Sequence, residues 1–325
     1  MEHRSPRARF GRGHPRAVLP VSPRATKQIW DRFWFEPDSA TNLAAARVIV
    51  AVHALWILLS RDYAAISGLT DLWVAVPQSL RWRYLLFPGH AGIEAALQWL
   101  TVLGLLAAIA GIYPRLACVV AGLLLYHLAP LESIIWSANA TARGLTLSPL
   151  LLVLLGAARS GDALRLWPKL GDRPAPSWEF GWPRRLAWLL IAEVYLFAAY
   201  SKLTASGLAW SSAANIRRWL LLFSLDEQWS HRSLGRWIAE HPALCLAIGI
   251  GVVIFEWTFI LAVFSRAARR VLVPAALILQ ITIWFALSLN VGETWLVLTF
   301  IDWDYLASVR SRSSAALSGE AASSA

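Results

Sequence analysis

Eight apolar blocks dominate this chain: roughly Leu43–Ser60, Glu94–Ile112, Leu116–Ala129, Gly144–Ala158, Leu186–Lys202, Ala243–Phe264, Val271–Leu289 and Thr294–Ala307. A helix that crosses a bilayer needs about 20 mostly apolar residues. Blocks three, four and eight fall short of that length and must extend into polar flanks or sit among neighbouring helices. The composition agrees: 57% of the 325 residues are hydrophobic and only 15% charged, against about 25% charged in an ordinary soluble domain. These values exclude a disordered chain, a coiled coil and a typical cytosolic enzyme. They predict an all-α, polytopic membrane helix bundle of about eight spans. Residues 1–42 form a basic tail and interfacial lead-in, 43–309 the membrane domain, and 310–325 a second tail with the character of a disordered segment.

The net charge of +10 is unevenly placed. Residues 1–32 hold eight Lys and Arg against Glu2 and Asp31. A basic arm of this kind suits nucleic acid or anionic lipid. The membrane domain that follows at once favours lipid, so a bilayer and not nucleic acid is the expected partner. The tail has no twin-Arg pair and no separate apolar segment before residue 42, so no cleaved signal peptide is expected. With the N-terminus inside, the outer segments carry Arg61, Arg81, Arg83, Arg143, Lys202, Arg217, Arg218, Arg232 and Arg236, Arg47 lies in the first block, and the remaining 20 of the 30 Lys and Arg fall inside. That split predicts both termini in the cytoplasm and a plasma (inner) membrane location. The inner loop 159–185, with Pro168, Pro174, Pro176 and Pro183, reads as a stiff connector.

Cys118 and Cys245 have no CxxC spacing and should lie far apart, so they read as small buried hydrophobes. The seven histidines show no ligand spacing, and no metal site is expected. Several of the 19 tryptophans fall at expected interfaces, but Trp73, Trp82, Trp136, Trp210, Trp219, Trp229 and Trp237 lie in outer loops. In Asn215–Leu225 the residues Ile216, Trp219, Leu220 and Phe223 recur on one helical face. A second short segment, Ser233–Glu240, offers Leu234, Trp237 and Ile238. The stretch 206–242 is therefore an outer cap of amphipathic helices lying in the interface, or partly buried loop helices that do not meet lipid.

Ionisable groups within a bilayer are costly and point to function. Here they are Arg47, His53, His127, Glu193, Lys202 and Glu256, while Glu94, Glu132, Asn139, Arg143, Asn290 and Glu293 sit at block ends where water reaches them. Arg47 either snorkels to inner phosphates or pairs with Glu256 or Glu193. Lys202 shares a helical face with Tyr195, Ala198 and Ala199. The two alanines leave room for a pocket or for close helix packing. Glu193, nine residues away, points to the opposite face. A lysine withdrawn from water can serve as a general base near neutral pH. The alternative is a lysine anchored to outer headgroups.

Three stretches carry a resemblance. Trp34-Phe35-x-Pro37 followed by Leu43-Ala-Ala-Ala-Arg47 resembles the opening of HTTM proteins, the bacterial relatives of the membrane domain of vitamin K-dependent gamma-carboxylase. Tyr195-Leu-Phe-Ala-Ala-Tyr-Ser-Lys202-Leu, with Trp210 beyond it, resembles the family's most specific motif, with Ala199 in place of a glycine. Trp295-Leu-Val-Leu-Thr-Phe-Ile-Asp302 resembles its last span. The resemblance covers about residues 30–307. It implies that Lys202 is the base that deprotonates a reduced quinone such as vitamin K hydroquinone, that Tyr195 and Trp210 shape its pocket, and that Arg47 is structural or charge-pairing. His127 and Asn139 correspond to a family His/Asn pair, while the aspartate of that region has no match. The lumenal substrate domain of the eukaryotic enzyme has no counterpart, which turns the expectation away from protein carboxylation. A non-catalytic reading stands beside it: an accessory or maturation factor for a small secreted peptide, or for a thioredoxin-like partner. A transporter lacks the expected repeat and broken helices.

Overall fold

Ser39 ends an extended lead-in, and its hydroxyl accepts the N–H of Asn42. That cap starts the helix around which the bundle is arranged. The computed structural model describes residues 23–67, 90–135, 147–168, 174–224, 232–287 and 292–310. Within these residues the chain is all-helical, with two isolated backbone bridges, Asp38 to Ser177 and Ile112 to Trp167. In chain order the helices are α1 (Pro23–Phe35), α2 (Ala40–Leu59), α3 (Tyr63–Ser67), α4 (Ala91–Ala110), α5 (Pro114–Ile135), α6 (Ser148–Ala157), α7 (Trp178–Ser206), α8 (Ala213–Ser224), α9 (Arg232–Ala239), α10 (Pro242–Thr258), α11 (Leu261–Phe264) and α12 (Arg266–Leu287). Two 3₁₀ segments, Gly207–Ser211 and Gly292–Phe300, and a last helical stretch at 303–310 complete the described elements.

Four of these segments are long and apolar enough to cross a membrane: Ala40–Leu59, Ala91–Ala110, Trp178–Ser211 and Arg266–Leu287. The chain thus has the make-up of a membrane protein. α2 is the most enclosed, with 61% of its apolar window buried against 22–33% in the other three. On one side it packs against α4 and α6, which bracket α5. On the other it meets α7 and the last 3₁₀ segment. Apolar side chains gain little by leaving lipid for protein, so close packing and polar contacts must hold such a bundle together. Gly122 serves the first need: a Cβ there would collide with the Pro149 carbonyl and Val153 of α6.

The remaining four blocks take other forms. The third is part of α5, the fourth shrinks to the ten-residue α6, and the sixth breaks at Phe259–Ile260 between α10 and α11. The eighth begins as a nine-residue 3₁₀ segment, which rises only about 18 Å. It lies inside the bundle, with Leu296, Val297 and Phe300 buried and Phe300 stacked on Trp188. The basic tail is helical from Pro23. The last eight residues of the 159–185 connector are also helix, because Ser177 caps the N-terminus of α7 by accepting the Glu179 N–H.

One end of the bundle is tied by arginines. Arg184 donates to Asp38 at 2.8 Å and to the carbonyls of Thr299 and Ile301. Arg185 reaches the carbonyls of Trp34 and Glu36, and Arg266 pairs with the Glu36 carboxylate. Asn42 bonds both Asp38 and Asp302. Burial raises the Asp38 carboxyl, but the Arg184 charge and hydrogen bonds from Asn42, Arg184 and the Ser39 N–H bring it below its ordinary value. Arg115 caps the Ala157 carbonyl at the end of α6. The segments with inner charge in the sequence therefore converge on one end.

Candidate functional site

The Lys202 face of α7 meets α10. Lys202 lies one helical turn from the C-terminus of α7, but its side chain turns back along the helix, so that Nζ lies 3.4 Å from the Ala198 carbonyl oxygen. There it donates to both oxygens of Glu256, each at 2.7 Å. Both side chains are largely enclosed, at 19% and 11% exposure. The Trp210 ring covers the ammonium, its centroid 4.9 Å from Nζ. Trp210 is held there by the cap. Asn215 donates to its carbonyl at 2.7 Å, and a Cβ on Gly249 of α10 would strike the neighbouring Ser211 carbonyl.

Below the ion pair, Tyr195 is buried, with its ring tilted against Phe259 at 4.3 Å and edge-on to Phe255 at 5.7 Å. Its hydroxyl is buried and has no hydrogen-bond partner among the described residues. Ala199 is fully buried, so the small residues next to Lys202 serve close packing of α7 on α10. Lys202, Tyr195, Ala198, Ala199 and Trp210 thus come together, and Glu256 joins them. This group offers a carboxylate acceptor, an ammonium donor, an unpartnered hydroxyl and an aromatic face within an apolar wall.

Arg47 lies elsewhere. It is fully buried in α2 and donates to the carbonyls of Ser160, Ala163 and Leu164 in the turn after α6. It pairs with neither Glu256, which Lys202 holds, nor Glu193, which is exposed on the far face of α7. His127 also stands apart. It bonds Glu94 at 3.1 Å between α5 and α4, across α2 from the Lys202 group. Glu94, expected at a watered helix end, is fully buried, and its second oxygen has no hydrogen-bond partner among the described residues. Asn139 lies outside the described residues, as do Trp73, Trp82, Trp136 and Trp229. Both cysteines are free and buried. No group of metal-ligating side chains occurs among the described residues.

The cap helices form where the periodicity placed them. Ile216 and Leu220 of α8 pack with Ile238 and Cys245 in a small core of their own, and Trp219 stacks on Phe223 at its edge. No family model, curated protein or solved structure matches the chain. The site therefore rests on its own geometry.

Sequence reasoning missed Glu256 as the partner of Lys202. The signal available was a single acid within the apolar sixth block, whose burial demands a cation.

Proposed function

We propose that this chain is an eight-span membrane protein with both termini in the cytoplasm and α8 and α9 lying in the outer interface, and that it carries out quinone-linked or other base-dependent chemistry at the Lys202–Glu256 pair. The observation that carries the reading is a charged pair with two polar neighbours, a buried hydroxyl without a partner and an indole face, set within apolar helices. Structure maintenance alone does not require an orphaned hydroxyl at Tyr195. The resemblance to the carboxylase membrane core supports the same assignment, and the convergence of the inner basic segments at one end supports the topology.

A reduced quinone is a flat apolar ring with polar edges, and the residues present suit it. Trp210 offers a stacking face, and Tyr195 a hydrogen-bonding hydroxyl. When bound, such a group supplies an acidic ring hydroxyl. As the pair stands, the ammonium of Lys202 is a donor and Glu256 is the acceptor. Lys202 becomes a base once it passes a proton to Glu256, the N–H bond breaking as the carboxyl O–H forms. Glu256 is thus the proton store beside the base, and Trp210 with the cap keeps bulk water from the amine.

The same pair can act as a clamp between α7 and α10, which is what the accessory-factor reading requires. Lys202→Arg separates the two. Arginine keeps a cation that can hold Glu256 in two-point contact but does not deprotonate. Proton transfer predicts loss of the phenotype that the intact gene supports, at unchanged protein level. The clamp predicts full rescue. Extraction of purified protein for bound quinone supplies the second readout, with less quinone expected in Tyr195→Phe. Full rescue by Lys202→Arg together with no recoverable quinone overturns the catalytic reading.

A further inference from the structure

α7 carries a second acid that the Lys202 group does not use. Glu193 lies eight residues after Arg185, in the arginine-tied end, and nine before Lys202, or roughly 12 Å and 13.5 Å along the axis. That is close to the middle of a hydrocarbon layer about 30 Å thick. Its side chain is exposed, and it makes no hydrogen bond or ion pair among the described residues. A carboxyl group facing lipid at that depth is costly and calls for a polar partner.

The residues around it form a pattern. Glu193, Phe197, Tyr200 and Thr204 are spaced 4, 3 and 4 apart, which is the seam spacing of paired helices. All four are exposed, Phe197 at 58% and Tyr200 at 53%. The two rings already lie edge to face at 6.4 Å. This face points away from α2 and α10, which take the Ala192, Tyr195 and Ala199 side of the helix.

We propose that the Glu193–Phe197–Tyr200–Thr204 face of α7 is a self-association seam, on which a second copy of this chain docks in parallel so that the two Glu193 carboxyl groups meet at the twofold axis. Two features select a second copy. An identical chain inserted by the same route has its Glu193 at the same depth by construction, which no foreign helix guarantees. In a parallel twofold pair each seam residue faces its own counterpart, so the acid meets a carboxyl group, and two carboxyls that hold one proton between them form a strong hydrogen bond. The exposed cations of the described helices lie in α8 and α9 (Arg217, Arg218 and Arg236) or on segments that run to the arginine-tied end: α1, the first turns of α5 and α12, and the stretch after Asp302. A second copy therefore answers Glu193 with an acid pair. Polar groups of this kind are the usual adhesive between helices in lipid.

The test uses the full chain in proteoliposomes, with both buried native cysteines kept. Phe197→Cys and Tyr200→Cys should give disulfide-linked dimers on mild oxidation. Leu103→Cys, equally exposed on α4, should not. In the Tyr200→Cys protein, Glu193→Leu should slow cross-linking roughly tenfold, while Glu193→Gln, which still hydrogen-bonds to its twin, should keep it within about twofold. These substitutions lie on an exposed face, and helicity and monodisperse elution check the fold of each variant. Cross-linking at 197 and 200 no faster than at 103 overturns the seam, as does a rate indifferent to Glu193→Leu. A purely monomeric protein in single-molecule photobleaching also overturns it, whether that face then meets lipid or a cationic helix of another protein.

Discussion

Removing one partner of the Lys202–Glu256 pair should cost far more than removing both. Two unit charges about 4 Å apart attract by about 4 kcal/mol at an effective dielectric near 20. The pair is bidentate at 2.7 Å, and neither side chain is more than one-fifth exposed, so screening is weak. Deleting one partner leaves a charge enclosed with no counter-ion, which costs about 3–5 kcal/mol in buried pairs. The slight exposure places Glu256→Met near the lower end, at about 3 kcal/mol. Lys202→Met should cost about 0.5–1 kcal/mol more, because it also forfeits the contact with Trp210. The double variant Lys202→Met/Glu256→Met places two apolar chains of similar volume between α7 and α10, and should cost less than about 2 kcal/mol. The cycle therefore predicts a coupling of at least about 4.5 kcal/mol. Reversible unfolding of the purified protein in mixed micelles, with the same slope for all four proteins, measures it. Single variants within 1 kcal/mol of wild type, or additive losses in the double variant, would refute the reasoning and return Lys202 to the membrane surface.

Three further outcomes follow from the rest of the bundle. Arg47→Lys keeps the charge but cannot span the carbonyls of Ser160, Ala163 and Leu164, so it should lower stability by about 2–3 kcal/mol, and a wild-type melting curve would count against the capping role. Because the Asp38 carboxyl sits below its ordinary value of 3.8, its stabilisation is present above that pH and is lost as pH falls through the folded value; unfolding midpoints measured from pH 6 to 3 should fall, and Asp38→Asn should lower stability at pH 6 while flattening the decline. Asp162→Cys and Glu240→Cys should react with an impermeant thiol reagent from opposite sides of sealed vesicles, and labelling of both from one side would overturn the proposed topology.

Much of the helix pattern was legible because it depends on local composition. The blocks around α2, α4, α7 and α12 are apolar over a bilayer's width, and that property is additive along the chain. The cap helices were legible for the same reason, since Ile216 and Leu220 recur at helical spacing and pack as a face. The eighth block was not, because its geometry is set by neighbours. Leu296, Val297 and Phe300 are apolar enough for a span, yet they fill the space between α2, α7 and α12, and the segment winds as a 3₁₀ helix. The turn of the sixth block at Phe259 is likewise a product of packing, with that ring wedged against Tyr195 and Phe300.

The site divides along the same line. Tyr195, Ala198, Ala199 and Lys202 share a face by helical arithmetic, and the structure keeps them together. Glu193 fell on the opposite face by the same arithmetic. Pairing between helices has no such rule. Arg47 and Lys202 each needed compensation, and the sequence offered two acids, Glu193 and Glu256. Arg47 took neither, because an arginine can be satisfied by backbone carbonyls at a helix end, whereas those groups carry no signature in side-chain identity. That leaves Glu256 for Lys202, which reaches only a point contact and needs a concentrated negative charge. The assignment could have been reached from donor geometry alone: the wide, planar donor goes to several diffuse acceptors, and the compact ammonium goes to the carboxylate. Glu193 then remains as the acid that no cation within the described chain answers, and the exposed aromatic seam around it becomes the place to look for its partner.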